Sequence, residues 1–289
     1  VPELSREMAG SLELEPTAAL VMEWAKDLYR TGSASLFYSQ LDLSAGRRMK
    51  QECDSICPWY SQVMMNRKWF IRHFSSGRIS AADGPCQVII IAAGKSPIAL
   101  ELLDIHPEKI ASVIETDITG MEEKHRIYEA VAPNAAKKIR CVRADLFDRE
   151  ETENAIAGTG IFNPDRPSVI VFEGISYYLP PALSSAVLSL FASRSRQNTV
   201  ILDSLLPCRL VRDDRQYISR GIWRIIHRDC NFRNTITYSP DEMETMLSRA
   251  GCDRVRHHTM HEMERLRTGR NLFFPAPDYG WIRISTARL

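Results

Sequence analysis

Three short stretches of this chain carry the residue types that hold a nucleoside ligand. The first is Ala92-Ala93-Gly94-Lys95-Ser96-Pro97. Its small residues let backbone approach a ligand closely, and Gly94 can take dihedrals closed to other residues. The second is Glu115-Thr116-Asp117, where a carboxylate can accept hydrogen bonds from both ribose hydroxyls. Glu115 is the first choice for that role and Asp117 the supporting one, and a merely solvated strand end is the plain alternative. The third is Arg143-Ala144-Asp145-Leu146-Phe147-Asp148. There Asp145 can accept the adenine amino hydrogen while Leu146 packs on the ring. An acid at a strand end is common, so the spacing carries the argument: glycine, ribose acid and adenine acid follow one another at intervals of one strand and one crossover.

Those intervals are set by the elements between them. Short β-rich runs, Val88–Ile91, Val113–Glu115, Ile139–Val142, Val169–Phe172 and Val200–Leu202, alternate with helical segments at 97–104, 119–131, 150–157 and 181–193. This is the pattern of a parallel sheet covered on both faces. Ligands of such sheets bind beyond the carboxyl ends of the strands, where the strand order reverses, and all three stretches fall at such ends. Upstream, residues 15–45 and 46–76 read as helices, with Trp59, Tyr60, Trp69, Phe70 and Phe74 interleaved with Arg67, Lys68, Arg72 and His73. That aromatic and basic stretch suits either packing on the sheet or a cover over an anionic ligand. Gly77 and the Ala81-Ala82-Asp83-Gly84-Pro85 stretch break the pattern, so an annex over 1–80 and a core over 81–289 are expected. Ser239 and Pro240 mark a helix start. Alternation at 253–258 and 280–286 suits two closing strands joined by a loop holding Gly269 and Pro275.

The loop after the first strand restricts the ligand. It lacks both the G-x-G-x-x-G fingerprint and the upstream glycine of a phosphate loop, and a ligand without phosphates needs fewer glycines. S-adenosylmethionine is therefore expected rather than NAD. An NAD-linked oxidoreductase is the weaker alternative; a non-catalytic cofactor-binding regulator of the same fold is another.

The totals narrow the class. The 289 residues carry 37 basic and 36 acidic side chains, a balance that argues against a nucleic-acid surface. No apolar run approaches the roughly 20 residues of a membrane span. Seven cysteines without a signal-peptide pattern fit a reduced, cytoplasmic setting. No membrane partner is expected, and the chain is expected to be a monomer or homodimer.

At this point the sequence resembles the leucine carboxyl methyltransferase family of S-adenosylmethionine-dependent enzymes. The resemblance rests on the glycine loop, on Glu115-Thr116-Asp117 with Lys124 downstream, and on Arg67 in Asn66-Arg67-Lys68-Trp69-Phe70-Ile71. Its most specific part is Glu173-Gly174-Ile175-Ser176-Tyr177-Tyr178-Leu179. It implies a class I methyltransferase Rossmann-like sheet, α/β with seven mostly parallel strands and an N-terminal helical annex. It further implies that Arg67 holds the methionine carboxylate, that Ala92 and Gly94 lie against the methionine portion, and that Glu115, with Asp117, grips the ribose. Asp145 and Leu146 would frame the adenine, and Glu173 would lie beside the amino-acid end. The family's Gly-x-Gly-x-Asp is replaced here by Ala92 and Ser96 in the outer positions, and the Arg72-His73 region is basic. The second departure points to an acceptor other than a protein's terminal leucine.

Methyl transfer from a sulfonium is an in-line displacement that needs no metal. It needs alignment and exclusion of water, and S-adenosylhomocysteine is the product. Tyr177, Tyr178 and Arg72 are the expected catalytic groups, with Trp223 as a wall and Arg72, Arg220 or Arg224 clamping an acceptor carboxylate. A small acceptor methylated on O or N is expected, a carboxylate slightly favoured. His257 and His261 would stand four apart on a helix, but matching ligands for zinc are not evident. Cys53 and Cys57 lack the spacing of the common redox pair. No G-x-S-x-G elbow occurs, since Tyr178 stands where its second glycine would.

Overall fold

Val88-Ile89-Ile90-Ile91 is a β-branched run without polar alternation, stable only where both faces of a strand are covered. In the computed structural model, which describes residues 12–192, 197–230 and 235–289, it lies in β1 (Cys86–Ile91), every residue of which is buried. The remaining sheet strands are β2 (Ile110–Asp117), β3 (Ile139–Arg143), β4 (Ser168–Phe172), β5 (Thr199–Leu205), β6 (Asp253–Thr259) and β7 (Ile282–Arg288). Their spatial order is β3-β2-β1-β4-β5-β7-β6. The first five are mutually parallel, and β7 runs antiparallel to both β5 and β6. The chain reverses direction across the sheet between β1 and β4, which opens a crevice beyond their carboxyl ends.

Helices cover both faces. Before the sheet come α1 (Pro16–Ala25), α2 (Gly32–Tyr38), α3 (Ser44–Ile56) and α4 (Tyr60–Ser80). Between strands lie α5 (Ile98–Ile105), α6 (Met121–Val131), α7 (Pro133–Ala136), α8 (Arg149–Gly158) and α9 (Pro181–Ser189). Then follow α10 (Gln216–Cys230), α11 (Pro240–Arg249) and α12 (Met260–Thr268). Alternate β1 residues feed two apolar clusters. Val88 and Ile90 pack with Val63, Phe70 and Ile71 of α4 and with the other N-terminal helices. Ile89 and Ile91 pack with Ile156 of α8, Val187 of α9 and Met243 of α11. The α4 helix thus lies directly on the sheet, with its last turn five residues before β1.

The start of α11 is a full capping box, Ser239 and Glu242 each holding the other's backbone N–H. The closing strands differ from expectation, because α12 rather than a plain loop joins them. Thr259 accepts a hydrogen bond from the Glu262 N–H, and Gly269, at φ 77°, ends the helix in the left-handed region. Among the described residues, no helix is long and apolar enough to cross a membrane.

Candidate active site

The turn after β1 is built by the backbone. Ala92 and Gly94 both have positive φ, 51° and 49°. For Ala92 this costs about 1–2 kcal/mol, a strain held at the mouth of the crevice. The Ala93 N–H donates to the Thr116 carbonyl at 2.9 Å. Asp117 closes the turn from the end of β2: its Oδ2 accepts from the Gly94 N–H at 2.8 Å and its Oδ1 from the Ile118 N–H at 2.7 Å. At the end of β3, Asp145 Oδ1 accepts from the Phe147 N–H at 3.0 Å. Gly94, Asp117, Ile118, Asp145, Leu146 and Phe147 border a cavity of about 460 Å³. Ile118 and Phe147 are 50% and 69% exposed, and two bare apolar side chains flanking a cleft suit the faces of a flat ring.

Glu115 stands elsewhere. One pleat repeat inside β2, it is wholly buried beneath α6. Lys124 of α6 reaches its Oε2 at 2.8 Å, and the Tyr128 hydroxyl donates at 3.2 Å. Burial, followed by the Glu115 charge, pushes the Cys141 thiol and the Tyr128 phenol up. The position expected to hold the ribose is therefore filled by a structural ion pair, and the acid that borders the crevice is Asp117.

On the other side of the turn, charges from three elements converge. Arg67 Nη2 of α4 lies 2.9 Å from Glu173 Oε1, just after β4, and its Nη1 lies 3.4 Å from Asp203 Oδ2 on β5. Lys68 Nζ lies 3.0 Å from the same Glu173 oxygen and donates to Ser96 Oγ at 3.2 Å. Asp203 Oδ1 also accepts from the Gly174 N–H at 2.7 Å, tying the loop after β4 to β5. Burial pushes the Glu173 carboxyl up, but Lys68 and Arg67 outweigh it and hold the group below the ordinary carboxylate range. For Asp203 burial wins over Arg67, and its carboxyl is raised.

Beyond this cluster lies a second cavity of about 200 Å³, whose walls include Trp24 of α1, Tyr60 and Met64 of α4, Tyr177, Tyr178 and Trp223 of α10. Tyr177 and Tyr178 meet edge to face at 4.7 Å, and Trp223 sits 5.3 Å from Tyr177. Burial raises both phenols, so both stay protonated near neutral pH. The two cavities share the Ala92, Gly94 and Lys95 turn, Thr17-Ala18 of α1, Gly174 and Tyr178.

A family model described as leucine carboxyl methyltransferase matches residues 17–192, a span from α1 to just past α9. The chain belongs to this family. It is accordingly an S-adenosylmethionine-dependent methyltransferase, with S-adenosylhomocysteine as its cofactor product. No curated protein sequence matches it. A Thermobifida fusca protein classed as a methyltransferase superposes with a TM-score of 0.65 at 15% identity, over 95% of each chain. A DUF574 family protein from Streptomyces avermitilis gives 0.64 at 13% identity, over 84% of this chain and 90% of its own. At such identities the likeness is one of fold, and it extends over the N-terminal helices as well as the sheet.

Within this methyltransferase, Arg67, Ala92, Gly94, Asp117, Asp145, Leu146, Glu173, Tyr177 and Tyr178 all border the joined cavities. Glu115 and Arg72 do not. Arg72 Nη1 turns to Glu101 Oε1 of α5 at 2.5 Å, one helical turn beyond Arg67 and away from the chamber. Arg220 and Arg224 are exposed on α10, and Arg220 donates to Gln216. The histidine pair also separates: His257 is on β6 bonded to Ser285, while His261 of α12 bonds the Phe274 carbonyl. Among the described residues, no group of three His, Cys, Asp or Glu side chains could hold a metal ion. Trp24, Tyr60 and Met64 were not anticipated as chamber walls. Nothing in their spacing separates them from ordinary core residues of amphipathic helices.

Proposed function

We propose that this methyltransferase acts on a small aromatic acceptor through an oxygen that is already ionised near neutral pH, an aryl carboxylic acid or a phenol made acidic by its ring substituents. The observation that carries this reading is the aromatic chamber of Trp24, Tyr60, Tyr178 and Trp223 joined to the cleft at the turn after β1. Its walls suit a flat apolar ring, and its volume of about 200 Å³ suits a small one. Tyr177 and Tyr178 hold their protons, and Glu173, kept ionised by two cations, is a weak base. A nucleophile that arrives ionised needs none of them, whereas an amine or an ordinary phenol needs a route for its proton. Arg72, Arg220 and Arg224 face elsewhere, so an aryl carboxylate would be placed by its ring rather than by an arginine clamp.

The crevice fits the methyl donor on its own chemistry. Asp117 stands where ribose hydroxyls need an acceptor, Ile118 and Phe147 flank the place of the adenine, and Asp145 with Leu146 lies at its edge. Arg67 and Glu173 offer charges to the carboxylate and ammonium of the methionine end. Bound there, S-adenosylmethionine supplies an electrophilic methyl group and loses its sulfonium charge on transfer. The chain's own part is to align and to exclude water. Tyr178 and Gly174 shape the opening between the cavities, and α1 roofs it. In this reading the helices up to Ser80 act as the lid of the core that follows.

Methyl uptake from labelled donor across matched phenols, aryl carboxylic acids and aryl amines tests the proposal. Methyl esters, and ethers of the acidic phenols alone, are the expected products. Turnover of amines alone would overturn it.

A further inference from the structure

The α4 helix delivers two consecutive cations into the cleft. Neighbouring helical residues diverge by about 100°, yet Arg67 and Lys68 meet on one oxygen, Glu173 Oε1. The two differ in what else they hold. Arg67 has one terminal nitrogen on Glu173 and the other 3.4 Å from Asp203, and its Nε is buried without a hydrogen-bond partner. Lys68 is 7% exposed; its other hydrogen bond is to the neutral Ser96 hydroxyl, and its charge also acts on Glu101. An ammonium has three donors. Glu173 and Ser96 take two, and the third has no hydrogen-bond partner among the described residues. A buried cation is stable only when paired and fully hydrogen-bonded. Here its close counter-ion, Glu173, is shared with a second cation. Through Ser96 the ammonium is also held over the turn after β1, where the cavity containing Gly94 opens.

We propose that Lys68 is a cofactor-positioning residue, binding the α-carboxylate of S-adenosylmethionine beside Arg67 and supplying an open donor over the turn after β1. Arg67, anchored to β4 and β5 through Glu173 and Asp203, keeps the site in place; Lys68 completes it when the carboxylate arrives. The inference rests on the donor lying with its methionine end over the turn after β1.

Calorimetric titration separates the two ideas. The probes are S-adenosylhomocysteine and 5′-methylthioadenosine, which keeps the adenosine and the thioether but has no amino-acid end. Lys68→Met should weaken S-adenosylhomocysteine at least roughly tenfold, the loss of one charge-assisted hydrogen bond. It should leave 5′-methylthioadenosine within about twofold of wild type, a change of under half a kcal/mol. Lys68→Arg should recover part of the lost affinity. Unchanged S-adenosylhomocysteine affinity would overturn the proposal. So would equal weakening of both ligands, which marks a role in folding alone. A wild-type chain that binds 5′-methylthioadenosine as tightly as S-adenosylhomocysteine would instead remove the methionine end from this part of the cleft.

Discussion

The proposed donor and acceptor halves of the cleft are made differently. The donor half is built on strand ends: a strained turn after β1, Asp117 closing β2, and Asp145 with Leu146 after β3. Its polar groups hold backbone N–H groups as well as facing the cavity, so little there can change without loosening the sheet. The acceptor half is built on helix faces, with Trp24 on α1, Tyr60 and Met64 on α4, and Trp223 on α10. Those walls contribute side chains only. A site of this kind keeps its donor chemistry in the backbone and leaves acceptor choice to side-chain packing.

The largest effect that sharpens this contrast concerns two carboxylates in one strand. Glu115→Ala strands Lys124 in a wholly buried position, which should lower unfolding stability by about 3–5 kcal/mol, read by denaturant titration. Asp117→Ala should leave most of that stability and weaken S-adenosylhomocysteine by about 1.5–3 kcal/mol, the worth of a hydrogen bond to a charged group. Reversed outcomes would restore Glu115 as the ribose acid. In the acceptor half, Trp223→Ala should raise the acceptor KM while leaving S-adenosylhomocysteine affinity unchanged by calorimetry. A parallel loss of donor affinity would erase the division between the halves.

The pH dependence follows from the lowered carboxyl of Glu173. Its contribution to stability is complete above the ordinary glutamate value of 4.5 and is lost as pH falls through its lower folded value. Unfolding curves of wild type and Glu173→Gln should therefore differ most near neutrality and converge below pH 4.5. The smaller effects come last. Arg72→Ala takes the close cation from Glu101, a largely buried carboxyl that burial already raises, for which about 1–3 kcal/mol of stability is expected to be lost. It should leave the acceptor KM unchanged. Ala92→Gly relieves a left-handed alanine and should stabilise the chain by about 1 kcal/mol, seen as a higher melting temperature.

How much of this could be read from the sequence followed the same division. The strands of the parallel sheet stand out because interior strands demand unbroken β-branched runs, and the residues ending them were found with them. The choice between Glu115 and Asp117 was not readable from the strand. It depends on Lys124, which α6 folds over the inner acid, and only the resemblance drew attention to that lysine. The α12 helix did carry its signals, Thr259 three residues before Glu262 and Gly269 at the stop. Period-two alternation in the preceding strand obscured them. The chamber walls gave no local sign, because Trp24, Tyr60 and Trp223 are brought together only by the packing of helices far apart in sequence. Arg72 misled for a related reason: a basic residue near a site says nothing of its direction, and Glu101 one element away decides it.

The turn shared by the two cavities has a consequence for how such enzymes diversify. Ala92, Gly94 and Lys95 border both halves, and the path of that turn is fixed by its main-chain N–H groups on the Thr116 carbonyl and the Asp117 carboxylate. Drift in sequence cannot easily reshape this passage, the proposed path of the methyl group. It can reshape the helix walls beyond it one side chain at a time, so new acceptors can be acquired while the inherited donor site goes on unchanged.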